Sequence, residues 1–388
     1  MAPASHIRIG LGILQDDFEL TGEYQAFRGW AEGLCAAGLA SRLFSARGES
    51  LRGAAYARVK SGEVVFRKIF EQWGLAARCT LMASQVDVLH IFLPMPLFLW
   101  IGDRVKRLTD KPVVVTCLAE QPELSPRQWL ALCRQSFRFH AVRCAAALFS
   151  PTSRFLCDRY IVGNAFVADQ LRRAGCPAQK LSVAMPRLPA EPEPDERSLA
   201  LARELAARPT FLYVGHFLPN KGVEVLLRAF ADLAAPESRL LLTWSGLGDL
   251  EAVQRRLYAA RIEDRVRIVA HPVHRSVLFA QTCGLVVPFT ASFGQVSPPV
   301  VMLEAFRAGA PLIVSRAPAT EGFGADGRTL WYVPPGDWRS LKAKMELALG
   351  EPALAGAMRA AQRRFFAQEV EDFDFRAFYG SVLGAPGG

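Results

Sequence analysis

The chain has 388 residues, of which 51% are apolar, and its formal net charge is +9. A chain of this length and apolar content buries well over half of its unfolded surface, which excludes a disordered protein, and at about 150 residues per domain it predicts two or three domains. Residues 1–190 carry 24 Lys and Arg against 15 Asp and Glu, whereas residues 191–388 carry 22 of each, so both an acidic and an evenly basic protein are excluded.

Short β-rich apolar runs alternate with longer stretches of helical periodicity, which is typical of βαβ units around a parallel sheet. The predicted strands of the first half are 7–14, 40–44, 86–93, 112–117, 147–150, 159–162 and 180–183. The predicted helices of this half include 23–37, 126–146 and 165–174. These elements predict a first domain over residues 1–190.

A Pro- and acid-rich stretch over 189–196 predicts a linker, because it has few groups to bury. The alternation then resumes with strands 210–214, 239–244, 266–268, 284–288 and 311–314 and helices 222–233, 249–259, 300–308 and 338–349. No fixed repeat of about 20–50 residues is present, so the two cycles predict two domains and not a solenoid. We expect an α/β fold with two Rossmann-like parallel-sheet domains, in which residues 191–208 connect the first domain to a second one over 209–365.

Ligands of open α/β sheets bind at the carboxyl ends of the strands, where helix N-termini present unpaired N–H groups. After the first predicted strand, Gly22 opens a helix, and a glycine there lets backbone donors approach a phosphate closely. A plain turn glycine explains Gly22 equally well.

The segment after strand 210–214 places Gly215, His216 and Lys221 around the start of a helix. A Lys ammonium beside a helix N-terminus is suited to neutralise a diphosphate leaving group. A solvated surface lysine is the alternative for Lys221, and the role of His216 is open at this point.

Two further loops follow predicted strands. Gly246 lies either in a phosphate-facing loop or in a turn that Asp249 caps. Farther along, Pro298 and Pro299 occupy sites suited to the first turn of a helix, and Glu304 lies about one turn inside it. A carboxylate there is suited to accept two hydroxyl hydrogen bonds, as a ribose requires, although a simple partner of the helix dipole is the alternative.

Taken in order, these segments resemble the retaining nucleotide-sugar glycosyltransferases of the GT-B fold, in particular their family 4, over nearly the whole chain. The segments that carry the resemblance are 21–38, 171–180, 213–222 and 300–311. Residues 213–222 are similar to the family's G-R-x-x-x-x-K-G diphosphate loop, and residues 300–311 are similar to its LEAMA-x-G-x-P helix, which is the most specific of the four. In this family two Rossmann-like domains face each other across a cleft.

The resemblance implies that Lys221 contacts the donor diphosphate, that Glu304 holds the donor ribose and that Gly22 faces the phosphates from the first domain. The catalytic candidates that it implies are Lys221, Glu304, His216 and Glu120. The donor-binding candidates are Gly22, Gly215, Lys221, Gly246, Gln295, Val296, Ser297, Val300 and Glu304. It also implies that residues 366–388 form a C-terminal helix that crosses back to the first domain.

Three positions depart from the family pattern. His216 stands where the family has an Arg, and it is a shorter and only partly charged donor at neutral pH. Val296 stands where the family has a first Glu, so we expect a sugar hydroxyl to bond to Gln295 or to backbone N–H groups of residues 293–297. Where the family has a His after strand 113–117, the nearest substitutes in this chain are Glu120 and His90.

The resemblance implies glycosyl transfer with retention, in which the anomeric C–O bond breaks with oxocarbenium character on the face that the acceptor attacks. The protein then contributes positioning and positive charge at the diphosphate. We expect a UDP- or GDP-sugar as donor, no cofactor and no metal, since the sequence shows no D-x-D motif. The alternatives are a catalytically weak homologue that acts as a binding or scaffold subunit, and a GT-B-type sugar-nucleotide epimerase or phosphorylase.

In the family the first domain faces the acceptor, and this is the basic half of the chain. Arg127, Arg134 and Arg138 share one face of predicted helix 126–146. Two aromatic residues, Trp129 and Phe137, lie near this face of the helix. Five further basic residues of the first half add to the basic surface: Arg67, Lys68, Arg104, Lys106 and Arg107. A basic face with aromatic residues favours a glycan or lipid-linked acceptor of the lipopolysaccharide type and peripheral contact with an anionic membrane. A solvated basic face is an equal alternative, and no motif supports nucleic-acid binding.

The eight cysteines form no C-x-x-C pair, so we expect buried thiols in a reducing compartment, without zinc or disulfides. Residues 1–8 lack the long apolar core of a signal peptide, and the apolar run 91–101 is too short to span a bilayer. These features predict a cytoplasmic protein, with peripheral attachment to the inner face of the plasma membrane as an extension of the acceptor hypothesis.

Overall fold

The computed structural model describes residues 7–14, 22–45, 74–121, 152–291 and 295–384. The described residues divide into two units: the first lies within 1–190, 294–298 and 373–388, and the second lies within 191–293 and 299–372. Each unit is built around a six-stranded sheet whose strands pair in parallel. The predicted α/β class with two Rossmann-like parallel sheets is confirmed.

The first sheet has the strand order β2-β1-β3-β4-β5-β6. Its strands are β1 (Arg8–Ile13), β2 (Ala40–Ser45), β3 (Val88–Leu93), β4 (Val113–Cys117), β5 (Arg159–Val162) and β6 (Leu181–Val183). The helices of this unit include α1 (Gly22–Ala36), α2 (Trp100–Leu108), α3 (Ala165–Arg173) and the C-terminal α11 (Phe375–Gly384). Side chains alternate along β4, so that Val113 and Val115 join one apolar cluster and Val114 joins the other, as a sheet buried on both faces requires.

The second sheet has the order β12-β11-β10-β7-β8-β9. Its strands are β7 (Thr210–Phe217), β8 (Arg239–Gly248), β9 (Val266–Val269), β10 (Gly284–Val287), β11 (Leu312–Ser315) and β12 (Trp331–Val333). The helices of this unit are α4 (Glu196–Ala206), α5 (Val223–Ala231), α6 (Leu250–Ala260), α7 (Arg275–Gln281), α8 (Val300–Ala308), α9 (Trp338–Gly350) and α10 (Pro352–Phe365), together with shorter turns.

Most predicted elements that fall on described residues are found within a few residues of their predicted ends. Predicted strand 147–150 and helix 126–146 lie outside the described residues. The patterns did not predict α2, α4, α7, α10 or β12. Helix α4 occupies most of the predicted connector, because Asp195 accepts a hydrogen bond from the Ser198 N–H at 2.7 Å and so caps its first turn.

Four of the described cysteines, Cys79, Cys117, Cys157 and Cys176, are buried free thiols, as expected, whereas Cys35 is exposed. Within the described part of the chain, no helix has both the length and the apolar character that crossing a membrane requires.

Helix α11 is joined to the first sheet by a buried polar network. The Tyr379 hydroxyl accepts a hydrogen bond from Trp30 Nε1 at 2.9 Å and lies 2.6 Å from His90 Nδ1, while His90 Nε2 lies 2.7 Å from Thr116 Oγ1. Burial lowers the pKa of His90 to about 3, so the ring is neutral. A consistent assignment has Tyr379 donating to Nδ1 and Nε2–H donating to Thr116.

Replacing Tyr379 by Phe removes a hydroxyl that serves two buried partners. Trp30 Nε1 and His90 Nδ1 then lose their hydrogen bond, which costs about 1–3 kcal/mol. We expect Tyr379→Phe to lower the urea midpoint of unfolding. Tyr258→Phe is the matched control, since Tyr258 is 68% exposed, and equal midpoints for the two variants would contradict the role of the network.

Candidate active site

The turn between β7 and α5 is fixed against the end of β10. Residues Pro219–Lys221 form a single 3₁₀ turn, and Gly222 follows with φ = 69°. A side chain at Gly222 would place its Cβ 1.7 Å from the Pro288 carbonyl oxygen, so only glycine permits this approach. The Thr290 N–H donates to the Asn220 carbonyl at 3.1 Å and holds the other side of the turn.

Lys221 is the last residue of that turn and lies just before the amino end of α5. Its ammonium stands 4.7 Å from the centre of the Phe289 ring, and its side chain is half-buried. The Phe289 ring face holds the ammonium beside the amino end of α5, at the carboxyl edge of the second sheet, where ligands of such sheets bind. This is the placement that the sequence predicted for Lys221.

Gly215, His216 and Gly246 were expected in loops after the strands, and this expectation was wrong. Strand β7 continues to Phe217 and β8 continues to Gly248, with a bulge between Gly215 and Phe217. Both strands continue through polar residues and glycines because β7 and β8 pair with each other and so satisfy each other's backbone hydrogen bonds.

The end of β8 forms a closed turn before α6. The Trp244 indole N–H donates to the Leu247 carbonyl at 2.8 Å, and Asp249 accepts from the Ala252 N–H at 2.8 Å. The predicted capping of this turn by Asp249 is confirmed, whereas a phosphate contact at Gly246 stays a prediction.

The imidazole of His216 is half-buried, and its Nδ1 shares a hydrogen bond with Ser245 Oγ. Burial, and secondly the charge of Lys221, lower the pKa of His216 to about 4. The ring is therefore neutral at pH 7, and not partly charged as the sequence suggested.

Glu304 lies in the middle of α8 and is only 7% exposed. Its Oε1 pairs with the Arg275 guanidinium at the start of α7, whereas Oε2 is buried and has no hydrogen-bond partner among the described residues. Burial raises the pKa of Glu304, and the charges of Arg275 and Arg307 oppose this rise. An unsatisfied buried acceptor favours a ligand that supplies a donor.

Two arginines that the sequence patterns did not indicate, Arg275 and Arg359, stabilise α8, the helix that carries Glu304. Arg359 donates to the carbonyls of Gly309, just after α8, and Thr282, just after α7, at 2.7 and 2.6 Å. Arg275 lies 29 residues before Glu304, and Arg359 lies 50 residues after Gly309. No spacing or motif in the sequence connects residues so far apart.

Gln295, Val296 and Ser297 belong to the first unit, where they are joined to the chain that follows β4. Val296 forms a β-bridge with Ala119, and the Ser297 N–H donates to the Leu118 carbonyl at 2.8 Å. Of the backbone N–H groups of residues 293–297 that were expected to bind a sugar hydroxyl, that of Ser297 is therefore engaged by the protein, and residues 293 and 294 lie outside the described residues.

The other candidates are placed as follows. Gly22 is the first residue of α1, and Glu120 is buried just beyond β4, both in the first unit. Val300 is the first residue of α8 and is buried. His90 is no substitute for a substrate-binding histidine, because it is fully buried with both ring nitrogens engaged.

Three candidates thus lie in the second unit. His216 is in the last part of β7, Lys221 is in the turn that follows β7, and Glu304 is in α8. Among the described residues, no group of three or more His, Cys, Asp or Glu side chains is arranged to hold a metal ion.

The chain is similar to several known proteins. Residues 208–351, most of which lie in the second unit, match the family model described as Glycosyl transferases group 1. The alpha-D-kanosaminyltransferase of Streptomyces kanamyceticus is 27% identical over 227 residues, which are 56% of this chain and 55% of that protein. The amylovoran biosynthesis glycosyltransferase AmsK of Erwinia amylovora is 27% identical over 196 residues, 49% of this chain and 47% of that one. The chain spans about half the length of the curated relatives it matches.

Solved structures show the same fold over nearly the full length. Anabaena HepE, in complex with UDP-glucose, is similar with a TM-score of 0.64 at 14% identity, over 97% of this chain and 98% of that one. The two parallel sheets and this likeness establish a GT-B fold.

Substitution of Gly222 tests the turn that holds Lys221. Gly222→Ala introduces both a strained backbone and a clash with the Pro288 carbonyl, whereas Gly336→Ala introduces only the strain, since Gly336 has φ = 77° and open space around its Cβ position. We expect Gly336→Ala to cost about 1–2 kcal/mol and Gly222→Ala to cost more, measured by urea unfolding. Equal costs for the two would contradict the close packing of the turn.

Proposed function

We propose that this chain is a glycosyltransferase that moves a sugar from a nucleoside-diphosphate donor to an acceptor hydroxyl, with retention at the anomeric carbon. The observation that carries the proposal is Glu304: a buried carboxylate with one oxygen unsatisfied among the described residues, in a domain that matches group 1 glycosyltransferases. A ribose hydroxyl is the kind of donor that this oxygen lacks.

The proposed chemistry assigns a role to each placed group. The anomeric C–O bond breaks, its electrons pass to the diphosphate, and the acceptor oxygen attacks the same face while its proton leaves with the departing diphosphate. Lys221 neutralises the charge that develops on the diphosphate, and Glu304 fixes the ribose end of the donor. This scheme needs no metal, because the cation at the leaving group is an ammonium.

The nature of the donor is proposed from the resemblance and from the relatives. HepE is crystallised with UDP-glucose, which makes UDP-sugars the first donors to test and GDP-sugars the second. AmsK is named for biosynthesis of amylovoran, and a role in cell-envelope glycan synthesis is the corresponding proposal for this chain.

Lys221→Met tests the diphosphate assignment. The variant keeps most of the side-chain volume but loses the charge, so the protein should fold normally and lose about 10²–10³ in turnover. Its stabilisation by UDP-, GDP- or ADP-sugars in a thermal-shift assay should fall as well, since ligand-induced stabilisation follows affinity.

Lys344→Met is the control, because Lys344 is also half-buried in the second unit but lies on α9. Stabilisation of Lys221→Met equal to that of the control would remove the diphosphate assignment. If no nucleotide sugar stabilises the wild-type chain, the scaffold alternative replaces the proposed activity.

The chemical class of the acceptor is proposed from the distribution of charged residues along the chain. The positive excess of the chain lies in residues 1–190, and Arg107 and Leu108 at the end of α2 are exposed. Lys106 does not contribute to this surface, because it is paired with Asp158 at 2.8 Å. Several residues of the predicted basic face lie outside the described residues: helix 126–146 with Arg127, Arg134 and Arg138, and also Arg67 and Lys68. Because the positive excess lies in the first half of the chain, an anionic or lipid-linked acceptor and peripheral membrane contact are part of the proposal.

Liposome flotation tests the membrane part. We expect the chain to float with vesicles that contain anionic lipid and to dissociate at high salt, because a basic surface binds such lipid through screened charge. Neutral vesicles serve as the control. Absence from both kinds of vesicle would leave a soluble glycan as the acceptor.

A further inference from the structure

Only one of the two ring nitrogens of His216 has a hydrogen-bond partner among the described residues. Its Nδ1 shares a hydrogen bond with Ser245 Oγ, which reaches it from the neighbouring strand β8. The His216 carbonyl accepts a hydrogen bond from the Tyr213 hydroxyl at 2.5 Å, which holds the backbone at this residue. Nε2 makes no hydrogen bond to any described residue. The ring is thus oriented by the protein at Nδ1 and open to a ligand at Nε2.

A cation lies close enough to act on this ring. Lys221 is the charged group among the described residues that disfavours the protonated imidazole, and burial of the ring acts in the same direction. A bound diphosphate would bring negative charge next to the ring, and negative charge favours the protonated imidazole.

We propose that Ser245 is a positioning residue that holds His216 as a proton-linked clamp for the donor diphosphate, so that the imidazole takes up one proton from solvent as the anion binds. This inference rests on the proposed function, since it assigns the diphosphate to the Lys221 region. In the free site Ser245 donates to Nδ1, and the neutral ring carries its proton on Nε2. In the occupied site both ring nitrogens are protonated, Nδ1–H donates to Ser245 Oγ, and Nε2–H donates to a phosphate oxygen.

A serine suits this role because its hydroxyl both donates and accepts. It satisfies Nδ1 before and after the ring gains its proton, whereas an apolar residue satisfies neither state. An arginine in place of His216 would keep its charge throughout, so its contribution would not vary with pH. With His216, the affinity for the donor becomes a function of pH.

The sign of the pH dependence follows from the two states. Burial, and secondly the charge of Lys221, lower the pKa of the free ring to about 4. If the bound diphosphate returns it to the ordinary value of about 6.5, binding is accompanied by proton uptake between these values and tightens as the pH falls. The expected gain is about tenfold in affinity between pH 7.5 and pH 5.5, because each pKa unit corresponds to a factor of ten.

The experiment is calorimetric titration of the full chain with UDP-glucose, GDP-mannose and ADP-glucose at pH 7.5, 6.5 and 5.5. The diphosphate bridge of these probes keeps its charge over this range, so any proton exchanged belongs to the protein. Repeating the titration in buffers of different ionisation enthalpy counts the protons directly. We expect net uptake approaching one proton near pH 5.5 and an affinity about tenfold higher than at pH 7.5.

Two pairs of variants separate the groups. His216→Gln keeps an N–H donor and His216→Arg keeps a charge, and neither titrates, so both should bind with a flat pH profile. Ser245→Thr keeps the hydroxyl and should retain the pH dependence. Ser245→Val has the same shape as Thr without the hydroxyl, and should bind more weakly and lose most of the dependence.

The outcomes distinguish this inference from the function it rests on. Binding of one probe with the same affinity at every pH, or identical profiles for the Thr and Val variants at 245, would overturn the clamp and leave the glycosyltransferase proposal in place. Failure of all three probes to bind at any pH would overturn the proposed function itself, and the clamp with it.

Discussion

The buried carboxylate of Glu304 is the constraint around which the second unit is organised. Removal of a charge from water costs several kcal/mol unless a partner compensates, and here Arg275 compensates on one oxygen. The pair requires α7 and α8 to pack together, and Arg359 joins the carboxyl ends of the same two helices. Arg307, on α8 itself, pairs with Glu191 at 2.5 Å. The oxygen left unsatisfied among the described residues is thus held in a rigid arrangement, and a ligand hydroxyl can complete it.

Two glycines, Gly222 and Gly163, allow close contacts with the segment that follows β10. Gly222 approaches the Pro288 carbonyl and Gly163 approaches the Ser297 carbonyl, each so closely that a Cβ would stand 1.7 Å from the oxygen. The first contact belongs to the second unit and the second to the first unit. Residues 295–298 are consequently part of the first unit although α8 begins directly after Pro299.

This placement explains how Val296 is used. Where the related family has a first glutamate, this chain has a valine that packs against the apolar cluster of the first unit. A carboxylate would be costly beside such a cluster. In our proposal, the polar contacts with the nucleotide-sugar donor are therefore made by the second unit, through Lys221, Glu304 and the neutral His216.

Much of the fold and part of the site followed from the sequence alone. The apolar alternation determined most strands and helices of both sheets, because burial on both faces of a parallel sheet acts on each strand locally. The position of Glu304 within its helix and of Lys221 before α5 also followed, since helix starts are encoded by neighbouring residues. Only the tertiary structure decided the extension of β7 and β8, the arginines that hold Glu304, the engagement of Ser297 and the neutral state of His216. These depend on partners 29 or more residues away, or on burial and a neighbouring charge, which no local pattern records.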